Sequence, residues 1–253
     1  MKVRVKNTIS ELEFLDEKTV ENWEHLTVYY GTDHLFCGDI SRFYLYLSEK
    51  EIQRSKRFLK KTDERVYVLS HALLNREISA RLNTDFEKLK INYFESRKPY
   101  IKDFPIDFNL SHSSDCFAFA LGCKKNIVVG VDIENIKENL EFESIVKHYF
   151  HENEIKFVLN GSVNHRMQLQ RFYEIWTRKE AFFKMLGLGL SEKFPETDLS
   201  PGEREIFWAD NCALELAPCS KIFVSTFIFP DLRVLSVAAN TPSLIIPIKC
   251  NAF

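Results

Sequence analysis

Several features that would classify this chain at once are missing from it. No stretch of its 253 residues is long and apolar enough to span a bilayer. The opening MKVRVKNTISELEF also lacks the apolar run of a signal peptide. A cytoplasmic protein with no membrane partner is the expectation. Neither sign of charge dominates: 36 acidic side chains stand against 34 basic ones, a net charge of −2. Such a balance gives no global pull toward nucleic acid or anionic lipid, and no basic-aromatic stripe marks a nucleic-acid groove. The six cysteines (Cys37, Cys116, Cys123, Cys212, Cys219 and Cys250) include no C-x-x-C pair and sit mostly in apolar contexts. That favours reduced core thiols over a disulfide frame or a zinc ribbon. Low-complexity tracts and evident linkers are absent. So is H-E-x-x-H: His148, His151 and Glu152 come in the wrong order for it and read as the junction of two helices.

What is present is an ordinary globular composition, 45% apolar and 28% charged, with phenylalanine prominent at 22 copies. Ser48-Glu49-Lys50-Glu51 reads as a capping box opening a basic helix through IQRSKRFL. A second helix is expected after Asp63, with Val66, Leu69, Leu73 and Leu74 on its apolar face. Strand-like runs INYF, IDFNL, CFAFALG and IVVGVDI follow, with a hairpin at Ser113-Ser114-Asp115. The second half repeats the order. Helical pattern covers FESIVKHYF, EIKFVL and a long helix from Met167 to Leu186, closed by Gly187 and Gly189. IFVSTFIF and LRVLSVAA then flank a Pro230-Asp231 turn. Helix followed by hairpin in both halves predicts an α+β fold of two similar subdomains, 1–125 and 126–253.

Two segments carry chemistry. Val128-Val129-Gly130-Val131-Asp132-Ile133-Glu134 reads as a buried strand ending in two carboxylates. Positions i and i+2 share a face, so Asp132 and Glu134 project together while Val131 and Ile133 enter the core. Two anions about 4 Å apart repel by roughly 4 kcal/mol at an effective dielectric near 20. Such a pair either raises a pKa or recruits a cation; in water it is merely a hydrated strand end. Gly130 leaves room for a ligand or another backbone. In the long helix, Trp176, Glu180 and Lys184 fall along one stripe. An exposed Glu–Lys pair is worth tenths of a kcal/mol. Here its neighbours are Ile175, Ala181, Phe182 and Phe183, so assigned partners are expected. Lys179 is open to either substrate or solvent. His112, after a strand, is either a hydrogen-bonded structural residue or an anion contact.

Together, G-V-D-I-E at 130–134 and F-x-x-I-W-T-x-K-E-A-F-F-K-x-x-G-x-G-L at 172–190 resemble the paired signature of the surfactin-type 4′-phosphopantetheinyl transferases. Arg97-Lys98-Pro99-Tyr100, Asn109-Leu110-Ser111-His112-Ser113 and the basic helix from Ser48 to Phe58 agree with it. The resemblance implies an intramolecular pseudo-dimer with the active site in the cleft between its halves. It implies Asp132, Glu134 and Glu180 as ligands of Mg2+, for which Mn2+ is an expected substitute. Lys184 would reach the pyrophosphate of coenzyme A, while Lys98, Ser111 and His112 would contact its phosphates and adenosine. Arg54 would serve the 3′-phosphate. The implied reaction moves 4′-phosphopantetheine from coenzyme A to a serine of an apo acyl or peptidyl carrier protein, releasing 3′,5′-ADP. Glu180 would be the base, directly or through water, with Lys184 supporting the leaving group.

The N-terminal segment departs from the family pattern. Asp63-Glu64-Arg65 stands where basic residues are usual, and Glu51 where lysine is common; Arg65 could stand in by a one-residue shift. An internal duplication that builds its own cleft favours a monomer. Two other readings stay open. One is a Mg2+-dependent phosphohydrolase or nuclease, the other an inactive module that binds coenzyme A or a carrier.

Overall fold

The computed structural model describes residues 26–35, 38–124, 126–189, 193–201, 222–241, 245 and 247–250. The readings on the opening segment and on Cys37, Cys212 and Cys219 lie outside these residues. Strand β1 (Leu26–Thr32) leads through 3₁₀ turns to helices α1 (Glu49–Ser55) and α2 (Lys61–Leu82). A ribbon of β2 (Ile91–Tyr93) and β3 (Pro99–Ile101) precedes β4 (Asp107–Ser113), β5 (Cys116–Gly122) and β6 (Val129–Asn135). Helices α3 (Glu143–Tyr149), α4 (Glu152–Val158) and α5 (His165–Met185) follow, then β7 (Phe223–Phe229), β8 (Arg233–Ala239) and β9 (Ile248–Lys249).

Local chemistry explains most of these boundaries. The Ser48 capping box is complete, each partner bonding the other's backbone N–H. Helix α2 starts two residues before Asp63, with Lys60 at the N-cap position and no side-chain cap. Asn164 caps α5 through Met167 N, and Gly187 at φ +73° turns the chain beyond its end. Gly187, rather than Gly189, supplies that left-handed position. The β4–β5 hairpin closes through Ser114 at φ +52°, as its short turn requires.

One sheet has the order β4-β5-β1-β9 and another β6-β8-β7. Strand β5 is buried along its whole length and shows how they stack. Phe117, Phe119 and Leu121 pack on α2, whereas Cys116, Ala118 and Ala120 face Val129, Val131 and Ile133 of the second sheet. Small side chains on that face let the sheets close together. Helix α5 covers the far side of the second sheet through Ala181, Phe182 and Met185. The layers therefore run α2, sheet, sheet, α5. Strand β9 pairs parallel with β1, so residues 248–249 return to the first sheet across the boundary expected at 125/126. Among the described residues, no helix is long and apolar enough to cross a membrane.

Lys179 faces neither substrate nor solvent. Its ammonium is fully buried, 2.9 Å from the buried Glu154 carboxylate, and donates to Phe194 O and Thr197 O at 2.6 Å each. Glu154 also takes the His151 N–H of the α4 capping box, which confirms the helix-junction reading of His148 and His151. Removing one partner leaves an uncompensated buried charge. Lys179→Met is thus expected to cost about 3 kcal/mol of stability in denaturant unfolding; a loss below about 1 kcal/mol would mean the charge is not held as described.

Candidate active site

Strands β4 and β6 lie at neighbouring sheet edges and are joined by side chains. Alternate residues of β4 point the same way, and all four are polar. Asp107 accepts from Val129 N at 2.8 Å and Asn109 from Val131 N at 2.9 Å, satisfying donors on the open edge of β6. Ser111 donates to Asp132 Oδ1 at 2.7 Å, and Ser113 donates to Glu134. The first sheet thereby orients both carboxylates of the second.

Helix α5 brings the remaining charges. A Cβ at Gly130 would lie 2.0 Å from Ala181 O and 2.5 Å from Met185 N, so only glycine admits this approach of helix to strand. The expected close contact at Gly130 is therefore a backbone. Lys184 Nζ then reaches Asp132 Oδ1 at 2.6 Å and Ser111 at 3.0 Å. Burial alone would lower the Lys184 pKa, but Asp132, Glu180 and Glu134 raise it, and the ammonium stays charged. Burial, then the charge of Asp132, raises the Glu180 carboxyl, so helix and strand carboxylates feel one another. Asp132 Oδ2 is buried and lacks a hydrogen-bond partner.

Two family models match the chain. The 4′-phosphopantetheinyl transferase superfamily matches residues 128–231, and the 4′-phosphopantetheinyl transferase N-terminal family matches residues 38–124. Both models describe 4′-phosphopantetheinyl transferases, and the chain is similar to them in each of its halves. It is 32% identical to the 4′-phosphopantetheinyl transferase gsp of Aneurinibacillus migulanus over 57% of each chain. It is also 32% identical to the 4′-phosphopantetheinyl transferase Sfp of Bacillus subtilis over 59% of this chain and 64% of that one. Identity to the L-aminoadipate-semialdehyde dehydrogenase-phosphopantetheinyl transferase of Pongo abelii is 26%, over 61% of this chain and 53% of the relative. The chain spans less than two thirds of the length of each of these relatives.

The structure divides the remaining residues that the transferase resemblance singled out. His112 is exposed and lies on the face of β4 opposite Ser111 and Ser113; desolvation lowers its pKa, and the neighbouring His71, Lys184 and Arg54 lower it further. A histidine ringed by cations is suited to an anionic ligand. Arg54 lies over the Tyr67 ring at 5.5 Å and lines an open cavity of about 600 Å³ with Lys50, Gln53, Arg57 and Phe58. Tyr67 in turn packs against the tilted His71 ring at 4.1 Å.

Other residues stand apart from it. Lys98 is buried, and its three donors go to Asp107 Oδ2 at 2.7 Å, Met185 O at 3.1 Å and Val129 O at 3.2 Å. It stitches β4, β6 and the end of α5 together, with no proton left for a ligand. Arg65 donates to Asp33 O and Gly38 O. Glu51 completes the α1 cap and pairs with His71 Nδ1 at 3.1 Å.

Sequence reasoning passed over Ser113, Asn109, Asp107 and His71. For the first three a signal existed: D-F-N-L-S-H-S is polar at every second residue of a strand otherwise destined for the core.

Burial, then the charge of Asp132, pushes the Glu134 carboxyl up to about 7 from 4.5, against the hydrogen bond from Ser113. A raised carboxyl stabilises the fold while protonated, and this contribution fades as pH rises through that window. Metal-free wild type should therefore lose up to about 3 kcal/mol relative to Glu134→Gln between pH 4.5 and pH 7. Parallel stability curves for the two, from denaturant titrations in a chelator, would refute the shift.

Proposed function

We propose that the protein transfers 4′-phosphopantetheine from coenzyme A to a serine hydroxyl of an apo acyl or peptidyl carrier protein, releasing 3′,5′-ADP in a Mg2+-dependent reaction. The observation that carries this is the buried Asp132 oxygen without a partner, beside Glu134 and Glu180, with Lys184 poised on the same carboxylate. Two carboxylates of β6 and one of α5 suit a hard divalent cation that takes its other ligands from phosphate and water. Asp132, Glu134 and Glu180 would hold Mg2+, or Mn2+ in its place. When bound, the ion supplies charge neutralisation at the pyrophosphate.

The chain's own groups do the rest. The carrier serine Oγ attacks the phosphorus that bears the pantetheine arm. The bond from that phosphorus to 3′,5′-ADP breaks, and the serine proton passes to Glu180. Burial has already raised the proton affinity of Glu180. Lys184 moves from Asp132 to the departing ADP oxygen, a point charge matched to phosphate. Ser111 and His112 flank the diphosphate, and Arg54 with its cavity receives the 3′-phosphate. The two sheet-and-helix halves form the pseudo-dimer, divided at residues 125/126 except that β9 returns to the first sheet, with Lys98 and the polar face of β4 as the seam. Cys116, Cys123 and Cys250 are free thiols, in keeping with a reducing cytoplasm.

Incubation with coenzyme A, Mg2+ and an apo carrier, followed by weighing the carrier, tests the reading. Gain of the phosphopantetheine arm with release of 3′,5′-ADP supports it. Pyrophosphate cleavage without transfer would indicate a phosphohydrolase instead, and binding without turnover an inactive module.

A further inference from the structure

Away from the carboxylates of β6, Asp33, His34 and Asp115 each place one ligand atom in a group whose members all lie within 4.8 Å. Among the described residues this is the tightest such cluster. Asp33 follows β1 and Asp115 lies in the β4–β5 turn, tied together by Asp33 N donating to Asp115 O at 2.9 Å. His34 Nε2 stands 3.4 Å from Asp33 Oδ1 and 3.5 Å from Asp115 Oδ2.

The two separations from His34 bear on the choice of cation. Zinc bonds of about 2.0–2.2 Å in a tetrahedron put ligand atoms roughly 3.3–3.6 Å apart. An octahedral Mg2+ with bonds of about 2.0–2.1 Å needs edges near 2.9 Å. One imidazole and two carboxylates also suit a first-row divalent metal.

A second observation points to a ligand independently. The Asp33 side chain is only 9% exposed, and its Oδ1 has no hydrogen-bond partner. A buried carboxylate oxygen left so is costly unless a cation completes it. The outer contacts resemble those that hold metal ligands in place. Asn135 donates to Asp115 Oδ1 at 2.7 Å, Arg233 to Asp115 Oδ2 at 3.1 Å, and Arg65 to Asp33 O at 3.2 Å. Arg233 is shared with Asp231, so Asp33, Asp115 and Asp231 outnumber the two guanidinium groups.

We propose that Asp33, His34 and Asp115 form a second metal site, structural and selective for zinc, separate from the carboxylates of β6 and α5. An ion there fastens the end of β1 to the β4–β5 turn. Through Asn135 and Arg233 it reaches the end of β6 and the start of β8. The proposal stands whether or not the transferase reading does.

The test first neutralises two of the three carboxylates of the other site. Chelator-stripped Asp132→Asn/Glu180→Gln protein is dialysed against low-micromolar zinc chloride with excess Mg2+, and bound zinc is counted by atomic absorption. The same is done after adding His34→Ala, a substitution at a side chain 78% exposed and therefore safe for folding. The expected result is one equivalent of zinc fewer with His34→Ala, and a zinc-induced rise in melting temperature that disappears with it. Asp33→Asn should behave like His34→Ala. Equal zinc content with and without His34→Ala would overturn the site, and so would full retention of zinc by Asp33→Asn.

Discussion

Glu180→Gln should leave a protein that folds, binds coenzyme A within about twofold of wild type, and transfers about 10²–10⁴-fold more slowly. The amide keeps the shape of the side chain but removes both its negative charge and its capacity to take a proton. Its effect on stability should run the other way. Burial and Asp132 already disfavour the Glu180 carboxylate, so removing its charge relieves the metal-free site and raises the melting temperature. A gain in stability with a loss of turnover separates a functional carboxylate from a structural one, which would lose both. Asp132→Asn should slow transfer comparably without that gain, because it also removes the partner of Lys184 and Ser111. Single-turnover mass measurement of the carrier decides the rates. Should Glu180→Gln retain a third of the wild-type rate, neither the ligand nor the base assignment survives.

The candidate site was legible where it depends on short-range periodicity. Asp132 and Glu134 share a face because strands alternate, and Glu180 and Lys184 share one because helices turn every 3.6 residues. The Ser48 cap, the Ser113–Asp115 hairpin and the glycine stop after α5 are likewise local. Residues whose role is fixed by distant acceptors were not legible. Lys98 reads as a ligand contact beside Pro99, yet its fate is set by Asp107, Val129 and Met185, up to 87 positions away. Lys179 is indistinguishable in sequence from a surface lysine until Glu154 and the 194–197 carbonyls are placed around it. Strand β1 was missed because its seven residues mean little without β5 beside them, and β9 because two residues carry no period.

Gly130→Ala joins fold and function in one methyl group. The added Cβ would stand 2.0 Å from Ala181 O, 2.5 Å from Met185 N and 2.9 Å from Met185 Cα. All three are backbone atoms of α5, so no rotamer change can relieve the clash; the helix must retreat or β6 must bend. Overpacking of a close-packed contact commonly costs 1–3 kcal/mol, and with rigid backbone on both sides about 4 kcal/mol is expected here. For a chain of this size that is a fall of about 10 °C in melting temperature. The atoms pushed away belong to residues next to Glu180 and Lys184, so both charged groups recede from Asp132. Mg2+ half-saturation of transfer should therefore rise at least about tenfold, since a displacement of about 1 Å can cost that much and more. A helix that merely frayed at its end would lower stability and spare the metal dependence. If the alanine variant melts within about 2 °C of wild type and keeps its Mg2+ requirement, α5 does not lie against β6 as described, and the convergence of carboxylates fails with it.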